Sequence, residues 1–188
     1  SAGSAVKLAA VPADGYVFDG WDQGDNQSIQ GFYNVVTLKT PSVVRPHFSP
    51  AKKVTLLTVP PGLGVYADRA LVPAPATFDW GFGSTHVVGA PSPQSDKQGA
   101  WWVFAGWSDN GAANHTISVP AGGPTITMTA TFVPATVTDL KTNPQGLKVK
   151  VDGRDNWPNY YFAWAAGEVH QIEAPQQQID DRGHVYNF

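Results

Sequence analysis

Ser84 stands beside His86 in a stretch that reads as a strand, and a hydroxyl next to an imidazole is the beginning of a nucleophilic site. Such a site needs the hydroxyl to reach the ring and a third group to orient it. His170 holds the equivalent place later in the chain, but there the neighbour is Glu168. A serine required in one copy and replaced in the other is not shared chemistry, so both histidines are expected to hydrogen-bond a neighbouring strand or turn while the ring packs. No catalytic residue is expected. Asp22, Asp25 and Asn26 after Trp21, and Asp109 and Asn110 after Trp107, offer the hard oxygens that calcium takes. Their spacing matches no loop signature, and Asp and Asn favour turns by bonding their own backbone. The five histidines are scattered, with no two at ligand spacing. Neither a metal nor another cofactor is expected. Of the seven tryptophans, Trp101 and Trp157 are the candidate ligand-binding residues, because an exposed aromatic face can stack on a sugar ring or anchor a protein contact. Partial burial between repeats is the competing reading of both.

The elements that position these residues come in copies. Lys53 to Phe104 lies over Val137 to Phe188 without a gap, at a constant offset of 84. Pro60, Gly62, Leu63, Val65 and Asp68 recur as Pro144, Gly146, Leu147, Val149 and Asp152. Phe78, Trp80, Gly83 and His86 recur as Phe162, Trp164, Gly167 and His170; Gln94, Asp96 and Gly99 recur as Gln178, Asp180 and Gly183. Turn formers and large apolar residues fix a backbone, and the positions between them vary as a solvated surface would. A period of 84 exceeds the usual solenoid repeat of about 20 to 50 residues and points to whole small domains in tandem. A third copy is partial: Phe18-Asp19-Gly20-Trp21 matches Phe104-Ala105-Gly106-Trp107, and Pro46 to Pro50 matches Ala130 to Pro134. The expected division is the back part of a repeat in residues 1–50, a complete repeat in 51–134, and the front part of a repeat in 135–188. Trp21 pairs with Trp107 and Trp80 with Trp164 in this alignment, which reads as core. Trp101 and Trp157 break it, with Val185 and Pro73 as counterparts.

Charged residues make up 14 % of the chain, about half the usual share, while 19 glycines and 16 prolines approach a fifth of the 188 residues. That balance suits short strands and tight turns. A net charge of −3 with scattered Lys and Arg gives nucleic acid no electrostatic footprint. Cysteine is absent, which removes disulfides, thiolate nucleophiles and Cys-based zinc sites together. No run approaches the ~18 apolar residues of a membrane span, and the start shows no charged and apolar signal segment. Asn26-Gln27-Ser28 and Asn114-His115-Thr116 are formal glycosylation acceptors with no further support.

In the complete repeat, Val54–Val59 and Leu63–Asp68 read as a hairpin across Pro60-Pro61-Gly62. Thr77–Trp80, His86–Val88 and Trp101–Trp107 follow as strands, and His115–Val119 with Thr125–Phe132 reads as a final pair. Ile126, Met128, Ala130 and Phe132 alternate with threonines, so one face is core and the other wet. Seven short strands in 84 residues predict an all-β fold of tandem small β-sandwich-like repeats, one complete and two partial. The competitor is a β-grasp-like arrangement with one short helix, for which Gln176–Asp181 is the nearest candidate; its counterpart contains Pro93.

The ordered motifs carry a family resemblance. A Pro-x-Gly-Leu turn, Val151-Asp152-Gly153, Phe-x-Trp, Gly-x-x-His, Phe104-Ala105-Gly106-Trp107-Ser108-Asp109 and His115-Thr116-Ile117 resemble the divergent extracellular repeat related to the B-repeats of internalin-type bacterial surface proteins. The resemblance implies non-catalytic modules that space, present or bind, in a secreted or cell-surface protein, with neighbouring repeats as partners. Asp68-Arg69 departs from the Asp-Gly of the pattern, so that turn is expected to be less tight or of another type. The second functional expectation is a carbohydrate-binding module acting through Trp101 and Trp157. The third is self-assembly, as a swapped dimer or a head-to-tail filament, through the incomplete terminal repeats.

Overall fold

The computed structural model describes residues 4–22, 33–37, 43–156 and 160–188, and every described element is a strand. In chain order β1 (Ala5–Ala9), β2 (Tyr16–Trp21) and β3 (Tyr33–Thr37) form the leading part, and β4 (Pro46–Val59) runs from it into the complete repeat. Within that repeat lie β5 (Gly64–Ala67), β6 (Ala70–Pro73), β7 (Ala76–Gly81), β8 (Thr85–Gly89), β9 (Gln94–Ser95), β10 (Trp101–Trp107) and β11 (Asn114–Ser118). The strand β12 (Ile126–Leu140) leaves it. The trailing part holds β13 (Val149–Val151), β14 (Arg154–Asn156), β15 (Tyr160–Ala165), β16 (Ile172–Glu173), β17 (Gln177–Ile179) and β18 (Val185–Asn187). Gln176–Asp181 thus contributes β17, not a helix.

Two sheets face each other in the complete repeat. The larger runs β2-β4-β12-β10-β9, with β7 added to β4 and β15 to β12; the smaller runs β11-β8-β5-β6. Between them Val54, Leu56, Met128, Ala130 and Phe132 pack on Leu63, Val65, Val88, Ala90 and Val119, all buried, with Trp80 and Trp107 at the ends. The period-two alternation of Ile126–Phe132 therefore does what it predicts: Met128, Ala130 and Phe132 enter the core, while the threonines between them stay out of it. The same small-sheet order returns in the trailing part as β14-β13-β16, and β1 pairs β3 in the leading part as β8 pairs β11.

Two expected pairings differ. Val54–Val59 and β5 form no hairpin; they belong to opposite sheets, because both edges of β4 are taken by β7 and β12. β5 pairs instead with β6 through the two-residue turn Asp68-Arg69, and β13 pairs with β14 through Asp152-Gly153. Both aspartates have positive φ, 53° and 50°; Gly153 is positive as well at 75°. The two turns are equally short, and the Asp68-Arg69 turn is of another type. Nor do β11 and β12 pair: β11 lies beside β8, and the Pro120–Pro124 segment carries the chain across to the other sheet.

The long strands join the repeats. β4 pairs with β2 through Pro46–Pro50 and with β7 through Ala51–Leu56; β12 pairs with β10 through Ala130–Ala135 and with β15 through Ala135–Leu140. The positions after 50 and after 134 fall inside these strands. Between them β4 and β12 run parallel over six consecutive pairs, from Val54↔Ile126 to Val59↔Thr131.

Candidate functional site

The repeated polar residues are backbone clamps. Gln94 accepts from Gly64 N–H (2.7 Å) and donates to Gly64 C=O (3.1 Å), and Gln178 does the same to Lys148 (2.6 and 2.8 Å). Asp96 gathers the N–H groups of Gln98 and Ala100 and the indole N–H of Trp102; Asp180 gathers those of Arg182 and His184 and the hydroxyl of Tyr186. Burial pushes the Asp180 carboxyl up, but the hydrogen bonds from His184, Arg182 and Tyr186 together hold it at about 2. A carboxylate that accepts several N–H groups favours its charged form.

The serine and histidine meet, with an aspartate that sequence reading did not place beside them. His86 Nδ1 lies 2.9 Å from Asp68 Oδ2, His86 Nε2 lies 2.8 Å from Ser84 Oγ, and the ring stacks on Trp80 at 3.9 Å between centroids. Ser84 Oγ also stands 2.6 Å from Gly81 C=O, so the carbonyl and His86 Nε2 both lie within reach of its one proton. The other copy keeps the ring geometry and loses the hydroxyl: His170 bonds Asp152 (2.8 Å) and Glu168 (3.4 Å) and stacks on Trp164. Its hydrogen bond to Asp152 raises the His170 pKa above the ordinary value; burial opposes, and Glu168 adds to the rise. In both copies the aspartate also accepts from the strand backbone, Val87 N–H or Gln171 N–H at 3.0 Å. The shared function of the constellation is to tie a hairpin tip to the next strand.

Asp109 and Asn110 form a turn: Asp109 accepts from Gly111 N–H and from His115 Nε2, and Asn110 has a φ of 62°. Asp22 accepts from Arg45 N–H and pairs with its guanidinium. Asp25 and Asn26 lie outside the described residues. Among the described residues no three His, Asp or Glu side chains gather as metal ligands.

Trp101 is 40 % exposed and forms one wall of a groove of about 380 Å³ on the sheet face where the complete repeat meets the trailing one. Pro93, Val137, Tyr161, Phe162 and Ala163 line the rest. The pairings Trp101↔Ala135, Val137↔Ala163 and Asp139↔Tyr161 put these residues on one face of β10, β12 and β15. Trp157 lies outside the described residues. Sequence reading missed Tyr161 and Val137, although a signal was there. At the preceding junction the positions 84 residues earlier are Lys53, Thr77 and Asp79. They form a Lys53–Asp79 ion pair at 3.2 Å, and Thr77 bonds Thr55 at 3.1 Å. One junction is polar and solvated; the other presents aromatic rings.

Residues 1–52 match the family model of the divergent InlB B-repeat domain. This is the family that the motifs resemble, and the match suggests a bacterial surface repeat module. It covers little more than a quarter of the chain, and the internal correspondence of Phe18–Trp21 and Pro46–Pro50 with Phe104–Trp107 and Ala130–Pro134 carries the likeness into the complete repeat. Neither a curated protein nor a solved structure matches the chain at a significant level.

Proposed function

We propose that this segment is a non-catalytic, stiff spacer in a secreted or cell-surface protein, built to hold successive repeats in line and to transmit tension between them. The observation that carries the reading is the pair of shared strands. β12 is 15 residues long, about 50 Å when extended, and belongs to two repeats at once. β4 does the same one repeat earlier. No flexible linker separates the complete repeat from the trailing one along β12, and tension along the chain loads the six β4–β12 pairs in shear, where all must yield together. The histidine clamps and glutamine bridges serve the same end, since each fixes a turn to a neighbouring strand. Small-angle scattering of the whole chain tests the idea against a variant with Gly-Gly-Ser-Gly inserted between Pro134 and Ala135. The wild-type profile is expected to be that of one rigid particle and the variant's that of tethered bodies; identical flexibility in both would refute the spacer reading.

The Trp101 groove favours a second reading, an attached carbohydrate-binding function. Trp101 and Tyr161 offer apolar faces to a sugar ring, and Asp139 with its partner Lys141 stands beside Tyr161 on the same sheet as a polar edge. Retention on insoluble polysaccharide that Trp101→Ala abolishes would support it, and no retention across a broad glycan panel would remove it.

A further inference from the structure

The groove walled by Trp101 is built from two repeats. Pro93 and Trp101 come from the complete repeat, Tyr161, Phe162 and Ala163 from the trailing one, and Val137 from the strand β12 that both share. The face it occupies stays open in the complete repeat. Lys53 and Asp79 hold the places of Val137 and Ala163 one junction earlier, and their side chains are 55 % and 37 % exposed. What differs is the chemistry. No charged residue lines the groove, and the charges beside it, Asp139 opposite Tyr161 and its partner Lys141, neutralise each other at 2.7 Å. Both rings keep a free polar tip. Among the described residues neither the Trp101 indole N–H nor the Tyr161 hydroxyl has a hydrogen-bond partner, whereas the indoles of Trp102 and Trp107 donate to Asp96 and to Ala113 C=O.

We propose that this groove is a composite subsite for a neutral polysaccharide, complete only while β12 holds the two repeats in line, so that ligand binding and repeat alignment are coupled. This rests on the carbohydrate reading of the groove and assigns the ligand's charge class and its dependence on the junction. An aromatic face takes the C–H face of a sugar ring, and a phenol or indole tip takes its hydroxyl edge. An acidic polymer meets no cation in the lining, and a net charge of −3 gives it no long-range attraction; a basic polymer meets no carboxylate there. A sugar chain that touches Trp101 and Tyr161 together bridges two repeats, and separating the repeats leaves one ring on each. By linkage, whatever holds the repeats in line favours the ligand, and the bound ligand favours the aligned state by the same factor. The polar junction at Lys53 and Asp79 lacks the rings, so the property belongs to the junction along β12 and is not common to every repeat.

The test uses the whole chain, with β-linked hexasaccharides of glucose, mannose and xylose as neutral probes and polygalacturonate as an acidic one. Calorimetric titration is expected to show saturable binding of at least one neutral probe and none of polygalacturonate. Trp101→Ala and Tyr161→Ala, one in each repeat, should each weaken binding about tenfold or more, which tests the bridge without a change of backbone. Val137→Lys, Tyr161→Thr and Ala163→Asp together transplant the polar junction, whose residues the equivalent strands already accommodate one repeat earlier, and should weaken binding at least as far with the fold retained. The chain with Gly-Gly-Ser-Gly between Pro134 and Ala135 keeps both rings and should lose binding by a similar factor; its circular dichroism spectrum separates lost alignment from lost folding. Saturating ligand should raise the thermal midpoint of the wild-type chain and leave that of the transplant where it was. Binding that Tyr161→Ala or the insertion leaves unchanged would overturn the composite site while the carbohydrate reading stood. Equal binding of polygalacturonate would overturn the neutral class, and no binding of any probe would remove both readings.

Discussion

Leu63 and Leu147 are the same residue in the same place of two repeats, and the structure gives them different surroundings. Leu63 is 1 % exposed beneath β4 and β12; Leu147 lines a separate, open groove and is half-buried. Truncation to alanine removes the same carbons from both. For Leu63 the lost transfer free energy is about 2.4 kcal/mol, at roughly 0.8 kcal/mol for each of about three carbons. A closed core leaves a cavity, which raises the total to about 3 kcal/mol or more. For Leu147 only part of the side chain leaves water on folding and no closed cavity remains, so the cost should be about 1 kcal/mol. Urea unfolding of the two variants, followed by tryptophan fluorescence, reads the difference as midpoints at unchanged slope. In thermal melts, at about 2–4 °C per kcal/mol for a chain of this size, Leu63→Ala should lower the midpoint by about 6–12 °C and Leu147→Ala by about 2–4 °C. Equal losses would refute the reasoning, because they would mean that Leu147 is covered in solution. A loss below about 1 kcal/mol at Leu63 would remove that residue from the core.

Two further outcomes follow from the clamps and a third from strand packing. His170 has a raised folded pKa, so the stability it contributes is fully present below its unfolded value near 6.5 and is lost as pH rises through the folded pKa. His170→Phe, which can keep the stack on Trp164, should flatten that part of the stability-versus-pH curve, and an unchanged curve would count against the Asp152–His170–Glu168 clamp. Asp180 is depressed to about 2, so its contribution is present above the ordinary value of 3.8 and disappears as pH falls toward 2; Asp180→Asn should weaken the acid dependence of unfolding measured between those limits. Gly89 sits in β8 between Tyr66 and Asn114, and a methyl there would run into the Asn114 side chain and crowd Tyr66. Gly89→Ala should cost about 1–3 kcal/mol in urea unfolding, and a neutral result would show that the three strands are not so closely packed.

Much of the architecture is legible in the sequence because it is written more than once. Strand positions emerge from alternation, as in Ile126–Phe132, and framework residues from recurrence: Gln94 and Asp96 recur as Gln178 and Asp180 because each bonds backbone groups, and His86 recurs as His170 because it braces the aspartate that bonds the neighbouring strand's backbone. Pairing was less legible. The hairpin expected between Val54–Val59 and Leu63–Asp68 fails, since adjacency along the chain does not say whether a turn returns to the same sheet or crosses to the other. Asp68 was visible as a turn residue, but its role as the partner of His86 depends on a distance across 18 residues. Trp101 stood out because its counterparts are not aromatic; Tyr161 and Val137, which complete its groove, needed the sheet face that unites three strands.

By itself the sequence determined the repeat, its period, the all-β class and the residues that face the core, because side-chain alternation and turn chemistry are local properties of the chain. Only the tertiary structure decided that consecutive repeats share β4 and β12, and that β4 and β12 lie side by side in parallel. Those facts depend on which strand edges are already occupied, and edge occupancy is fixed by residues far apart in the chain: Val54 with Ile126, and Thr138 with Phe162.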